Sequence, residues 1–178
     1  MKKMFLFISL FSIINIVYSQ IIYDPYTSED SLMNYEYPAS EELLKDAKKR
    51  THYDKGYEFD IYSYQDSKGI ISIGDHDRAS IAVYDKDLKW IETHVYYYYD
   101  SESKSLSKKE LKTVQDNIAL IVSKLKDDYE VSELDSYTII INNKGTYYQV
   151  QANKKNVENE YYHLFLNDKF ELVNKILK

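Results

Sequence analysis

The sequence predicts an α+β fold made of two tandem repeats, each a helix followed by an antiparallel β-meander, with the helices packed on one face of the sheet. Two observations favour it. In both halves of the chain, a helix-capping signal precedes stretches in which apolar and polar residues alternate. The turn sequences DSKG (66–69) and NNKG (142–145) separate the first two strands of each half. We therefore expect a first repeat at 40–104 and a second at 105–178.

The first repeat opens with a short amphipathic helix. Ser40 is a suitable N-cap, and Glu41 and Glu42 lie in the first turn, where the helix dipole favours acids. Leu43 and Ala47 belong to an apolar stripe, and basic residues at 48–50 suit the C-terminal end. Alternating residues and turn signals then predict strands at 57–64, 70–73, 79–84 and 90–99.

The second repeat follows the same order with a longer helix. Ser107 and Glu110 have the spacing of a capping box, and apolar residues recur every three or four positions through 107–127. The strands are predicted at 137–141, 147–152, 161–166 and 170–177, with a polar link at 153–159.

The N-terminal segment has the features of a cleavable export signal. Lys2 and Lys3 precede an apolar run at 5–17, and Val17 and Ser19 provide small residues before Gln20. The run is shorter than the ~20 residues that a transmembrane helix needs. We predict a signal peptide at 1–19, cleaved between Ser19 and Gln20, and an acidic leader without regular structure at 20–39. The mature protein is then periplasmic or extracellular, with no membrane attachment.

The composition excludes several classes of function. The net charge of −6 argues against nucleic acid as a partner, because phosphates require a basic patch. The absence of cysteine excludes disulfides, thiolate metal sites and cysteine nucleophiles. The chain contains 20 tyrosines, which favour strands and carry an apolar ring with a polar tip. We therefore expect a sheet-rich protein with a partly exposed aromatic face.

Three segments together resemble the PepSY-like proteins exported by diderm bacteria: AVYDKDLKWIET (82–93), the helix LSKKELKTVQDNIALIVSKL (106–125) and the closing hairpin YYHLFLNDKFELV (161–173). The resemblance spans about residues 40–178. The chain departs from the family in lacking its usual turn glycine at Asp87-Leu88 and at Asp168-Lys169. The resemblance implies a fold similar to β-lactamase-inhibitor proteins, a periplasmic setting, no known catalytic residues, and a role in binding or restraining other proteins.

No motif in the sequence indicates catalysis or metal binding. Asp75, His76 and Asp77 are the densest set of possible ligands, but adjacent residues on one loop rarely converge on an ion. Asp85 and Asp87 resemble the start of a calcium loop that lacks the required glycine and distal glutamate, so a hairpin turn is favoured. No G-x-S-x-G occurs. We predict no metal, no cofactor and no enzyme activity, although spatially paired carboxylates stay open as an alternative.

The predicted strand at 90–99 carries two alternating sets of side chains. One set, from Ile91 to Tyr97, is expected to pack on the helices, which leaves the other on the opposite face of the sheet. Aromatic residues among acids are typical of protein interfaces. Cross-strand aromatic pairing is the alternative explanation, and a slip of one residue would exchange the sets. The candidate partner-binding residues are Trp90, Glu92, His94, Tyr96, Tyr98, Tyr62 and Tyr64.

Together these observations predict a non-catalytic periplasmic or secreted protein that binds or inhibits another exported protein. The alternative is a small envelope hydrolase or a ligand-binding protein that uses a cleft between the repeats. That alternative requires a deep pocket with convergent polar groups.

Overall fold

The structure, a computed structural model, describes residues 35–51, 61–66, 68–75, 80–99, 107–158 and 160–178. These residues form two helices and nine strands. The helices are α1 (Glu41–Arg50) and α2 (Lys108–Leu125). The strands are β1 (Tyr35–Glu36), β2 (Ile61–Gln65), β3 (Ile71–Asp75), β4 (Ser80–Tyr84), β5 (Trp90–Tyr98), β6 (Ser136–Asn142), β7 (Gly145–Asn153), β8 (Tyr161–Leu166) and β9 (Leu172–Leu177).

Both predicted helix starts are confirmed. The side chain of Ser40 accepts a hydrogen bond from the Leu43 amide. Ser107 accepts from the Glu110 amide, and the Glu110 carboxylate accepts from the Ser107 amide at 2.8 Å, which completes the capping box. Each cap satisfies amides that have no partner within the helix.

The predicted hairpin turns are confirmed as well. Gly69 adopts φ +81°, a backbone conformation that residues other than glycine rarely adopt. Its amide donates to the Asp66 carbonyl. In the turn between β4 and β5, the Asp85 carboxylate accepts from the amides of Asp87 and Lys89, both at 2.9 Å. This carboxylate therefore stabilises a turn.

The prediction of two tandem helix–meander repeats is wrong. All strands belong to one antiparallel sheet in which spatial order follows chain order from β1 to β9. Every residue of β6 pairs with β5, so the sheet runs without interruption through the junction of the expected repeats. The helices are unequal, with 10 residues in α1 and 18 in α2, and β1 precedes α1 without a described counterpart before α2. Turn sequences indicate only local hairpins, and consecutive hairpins can form one continuous sheet as well as two separate repeats.

Both helices pack on the same face of this sheet, which we call the helix face. Leu43 and Ala47 of α1 pack against buried residues of β3 and β4. The longer α2 contributes Val114, Ile121 and Leu125 to a larger cluster with buried residues of β6, β7 and β8. The opposite face, on which neither described helix packs, is the helix-free face. It carries a smaller apolar cluster, Ile140, Tyr147 and Phe165.

The N-terminal predictions are tested only at their C-terminal limit. Residues 1–34 lie outside the described residues, and so do His76 and Asp77 of the Asp75-His76-Asp77 segment. Within the expected leader at 20–39, Tyr35 and Glu36 form β1 and pair with β2, which corrects the prediction that this stretch has no regular structure. None of the helices in the described ranges is both long and apolar enough to span a membrane.

A hydrogen bond between Asp46 of α1 and Tyr84 of β4 links this helix to the sheet, and Asp46 also forms an ion pair with Arg50 of the same helix. The Asp46 carboxylate accepts hydrogen bonds from Arg50 and, at 2.9 Å, from the Tyr84 hydroxyl of β4. Burial raises the pKa of Asp46, but the hydrogen bonds from Arg50 and Tyr84 and the charges of Arg50 and Lys49 outweigh it. The pKa therefore lies below its ordinary value of 3.8.

Replacing Ser107 by Ala should lower the free energy of unfolding by about 1 kcal/mol, because the Glu110 amide at the start of α2 loses the hydroxyl oxygen that caps it. Urea denaturation of the mature chain measures the change. Ser123→Ala, whose hydroxyl only donates to the Leu120 carbonyl on the exposed side of the same helix, is the control and should differ little from wild type. Equal stability of all three proteins would contradict the role of the cap.

Asp46→Asn should destabilise the protein at pH 7 but not in strong acid. A carboxylate whose pKa is lowered by folding stabilises the folded state above its unfolded pKa, and that stabilisation is lost as pH falls through the folded value. The difference in free energy of unfolding between wild type and variant should therefore shrink as pH falls below 3.8. A difference that stays constant with pH in urea titrations would show that the carboxylate charge does not contribute.

Candidate binding surface

Strand β5 does not present all of its predicted binding residues on one face. The ladder between β4 and β5 has an irregularity at Val83/Tyr84, so Glu92 opposes Val83 whereas Trp90 opposes Tyr84. Ile91 is the extra residue of this bulge. The Trp90 side chain consequently lies on the helix face, where the Arg50 guanidinium is 4.5 Å from its ring centroid. Placing Trp90 with Glu92 and His94 was wrong, because strict alternation does not allow for a bulge.

Glu92 and His94 lie on the helix-free face but are not available to a partner. Each is only 1% exposed, and His94 Nε2 lies 2.8 Å from Glu92 Oε1. Cross-strand neighbours of His94 are Ile81 and Ile140, both buried. His94 Nδ1 is buried and has no hydrogen-bond partner. This pair is therefore an internal polar contact within an apolar row, and its prediction as exposed contact residues was wrong.

The remaining predicted residues lie on two separate strands, β5 and β2. Tyr96 and Tyr98 project from the same face of β5 and are 42% and 50% exposed, as expected for contact residues. Tyr64 is half-buried on β2, which is separated from β5 by β3 and β4. The backbone of Tyr62 pairs with Gly74, and its side chain lies outside the described part of the structure. Tyr62 and Tyr64 therefore do not adjoin the tyrosines of β5.

The sheet divides at one end between β6 and β7. Their pairing runs from Asn142–Gly145 at the turn only as far as Thr138–Gln149. Beyond that point β6 continues to pair with β5 through Ser136, and β7 continues to pair with β8 through Asn153. The two strands thus form a fork, each still held by its outer neighbour.

The segment that follows α2 fills the helix-face side of this fork. Tyr129 and Val131 are buried in the main apolar cluster beneath α2. The Glu130 amide donates to the Asn153 carbonyl at 2.9 Å, and Tyr129 forms an isolated bridge with Lys154. Burial of the two apolar side chains and these backbone contacts hold the segment against the end of β7, which accounts for the separation of the strands.

The fork opens into a groove of about 1240 Å³ that is lined by residues of both faces of the sheet and by the segment that follows α2. One wall carries Tyr96 and Thr138, and the other carries Gln151 and Tyr161. The Tyr161 hydroxyl donates to Gln151 Oε1, and its ring lies edge-on to His163 with centroids 6.1 Å apart. Burial raises the pKa of Tyr161, so its hydroxyl is neutral at physiological pH.

The end of the groove is acidic. Residues 126–135 (KDDYEVSELD) join α2 to β6, and the carboxylates that line the groove are Glu130, Glu133 and Asp135, all on exposed residues. Two lysines also line it, and one of them, Lys155, donates from Nζ to the Lys126 carbonyl. The groove therefore combines two exposed tyrosines, several polar side chains and a small excess of negative charge.

Most of these groove residues were not among the sequence candidates. Tyr161, Gln151 and the acidic segment were missed, although the acid-rich run at 126–135 is visible in the sequence. No sequence signal shows that β6 and β7 separate, because both alternate normally up to their ends. Within the described ranges, no three His, Asp or Glu side chains come together as a metal site would require.

No family model and no curated protein matches this chain. Among solved structures, a DUF2874 family protein from Bacteroides ovatus is 14% identical, with 79% of this chain and 89% of that chain covered and a TM-score of 0.49. A protein from Bacteroides eggerthii, described provisionally as periplasmic, is 13% identical over 78% and 89% of the two chains, with a TM-score of 0.39. Both TM-scores lie below 0.5, so neither similarity bears on the function of this chain.

Glu92→Leu and His94→Leu should each lower the free energy of unfolding by about 1–3 kcal/mol, because each leaves a buried polar partner unsatisfied. The double variant should be more stable than either single variant, since no buried polar group of the pair is left behind. Urea denaturation of the four proteins forms the double-mutant cycle. Additive losses would show that the two side chains do not act as a pair.

Proposed function

We propose that this chain is a non-catalytic exported protein that binds another exported protein through the helix-free face of its sheet. The observation that carries this proposal is the position of the tyrosines. Tyr96, Tyr98 and Tyr161, the last of these 37% exposed, project from that face, and Tyr96 and Tyr161 also line the groove. A tyrosine side chain provides a large, rigid contact area with a polar tip. Tyrosine is therefore enriched among the residues that contribute most of the binding energy at interfaces.

The buried residues behind these tyrosines support a rigid binding face. Phe165 and Ile140 are fully buried on the helix-free side, and Gln149 Nε2 contacts His163 Nδ1 at 2.9 Å. Side chains on a packed sheet lose little conformational entropy when they bind. The export signal predicted at 1–19 supports a periplasmic or secreted location for this interaction.

One observation also favours a second candidate, a ligand-binding protein. Like a small-molecule site, the groove is lined by both aromatic and polar side chains, although its volume exceeds the roughly 300–1,000 Å³ that such sites span. It lies within the second half of the sheet, in the β6–β7 fork, and not between the two halves as the sequence had suggested. This volume fits a segment of a protein better than an enclosed small molecule.

Capture from an envelope extract, followed by measurement with the purified partner, tests the proposal. Tyr96→Ala combined with Tyr98→Ala should raise the dissociation constant by about tenfold or more, because two exposed aromatic side chains are removed from the contact surface. Leu120→Ala, an equally exposed apolar residue on α2, is the control and should bind as wild type does. Unchanged affinity in the tyrosine variant at unchanged stability would contradict the proposed face.

A further inference from the structure

We propose that the groove in the β6–β7 fork receives an extended segment of the partner protein that is rich in lysine or arginine. This inference rests on the proposed function, since it specifies which part of the partner enters the helix-free face. Three independent features of the groove support it: its backbone geometry, its charge and its tyrosines.

The backbone geometry of the fork suits an extended chain. Asn142 and Gly145 flank a two-residue turn and exchange hydrogen bonds, as the residues closing such a turn do. In an antiparallel ladder every second pair of opposing residues exchanges hydrogen bonds, and Thr138–Gln149 is the last such pair between β6 and β7. Ser136 and Gln151 would form the next pair if the two strands stayed together. The strands have separated there, so the backbone groups of Ser136 and Gln151 point into the groove. An extended peptide supplies the amides and carbonyls that such strand edges require.

The charge of the groove favours a basic segment. Glu130, Glu133 and Asp135 line its end, against Lys126 and Lys155. The Lys155 ammonium already donates to the Lys126 carbonyl, which reduces its ability to offset the carboxylates. Acids at the edge of a binding site attract a basic partner and disfavour an acidic one.

The tyrosines provide a second preference for cations. Tyr96 and Tyr161 line opposite walls, and each leaves more than a third of its surface exposed. Lysine and arginine side chains bind to aromatic faces through cation–π contacts. In an extended segment alternate side chains point the same way, so the basic residues of one set reach the tyrosines while the backbone occupies the fork.

Nuclear magnetic resonance titration of the labelled mature chain tests the inference. The probe is an eight-residue peptide of alternating lysine and threonine, with blocked ends, and the counterpart replaces each lysine by glutamate. At low salt, the lysine peptide should shift the amide signals of Ser136 and Gln151, and the glutamate peptide should not. An absence of shifts at millimolar peptide, equal shifts with both peptides, or shifts confined to the sheet edge at β9 would overturn the proposal.

Charge variants in one loop give a matched control. Glu130→Gln, Glu133→Gln and Asp135→Asn together should weaken lysine-peptide binding by about tenfold. Asp127→Asn with Asp128→Asn removes exposed acids from the same loop that do not line the groove, and should change binding less than twofold. Equal effects of the two sets would show that only net charge matters, and would contradict a binding site in the groove.

The same variants separate this inference from the proposed function. If the captured partner loses affinity for the Tyr96 and Tyr98 variant but binds the triple acid variant normally, the helix-free face is the binding face and the inference about the groove is wrong. If neither variant changes the affinity, both proposals are wrong.

Discussion

The pairing of β5 with β6 is the interaction on which the rest of the structure depends. It joins the half of the sheet beneath α1 to the half beneath α2, and it involves every residue of β6. In an antiparallel ladder the register decides which face each side chain occupies. Because Thr93 opposes Ile141 and His94 opposes Ile140, one apolar layer forms beneath the helices and a second forms on the helix-free face. A shift of one residue here would exchange both layers.

The binding surface follows from two local departures from that regular ladder. The bulge beside Trp90 turns the tryptophan toward α1, where it packs below Arg50. The fork between β6 and β7, held open by Tyr129 and Val131, creates the groove. Bulges and splayed strands occur often at functional sites because they redirect side chains without breaking the sheet. In this protein one departure removes an aromatic residue from the helix-free face, and the other opens a groove beside it.

Local signals in the sequence were sufficient for both helices and the longer strands, but not for β1 or for the assembly of the strands. The caps at Ser40 and Ser107 and the turn at Gly69 depend on neighbouring residues, and the sequence predicted them correctly. The burial of Glu92 and His94 depends on cross-strand neighbours far along the chain, such as Ile140, so alternation alone placed them on an exposed surface. The single sheet and the β6–β7 fork are likewise long-range features. Tyr96 and Tyr98 were found because alternation holds beyond the bulge.

Binding of a partner protein at the fork, on the helix-free face, is the main proposal for this chain. Hydrogen–deuterium exchange of the mature chain, alone and with the purified partner, tests it most directly, because backbone protection reports which strand edges the partner covers. Binding of the partner should slow exchange at residues 136–138 and 149–153 and in the acidic segment at 126–135. Protection confined to α1, α2 or the β9 edge, with exchange in the fork unchanged, would contradict it.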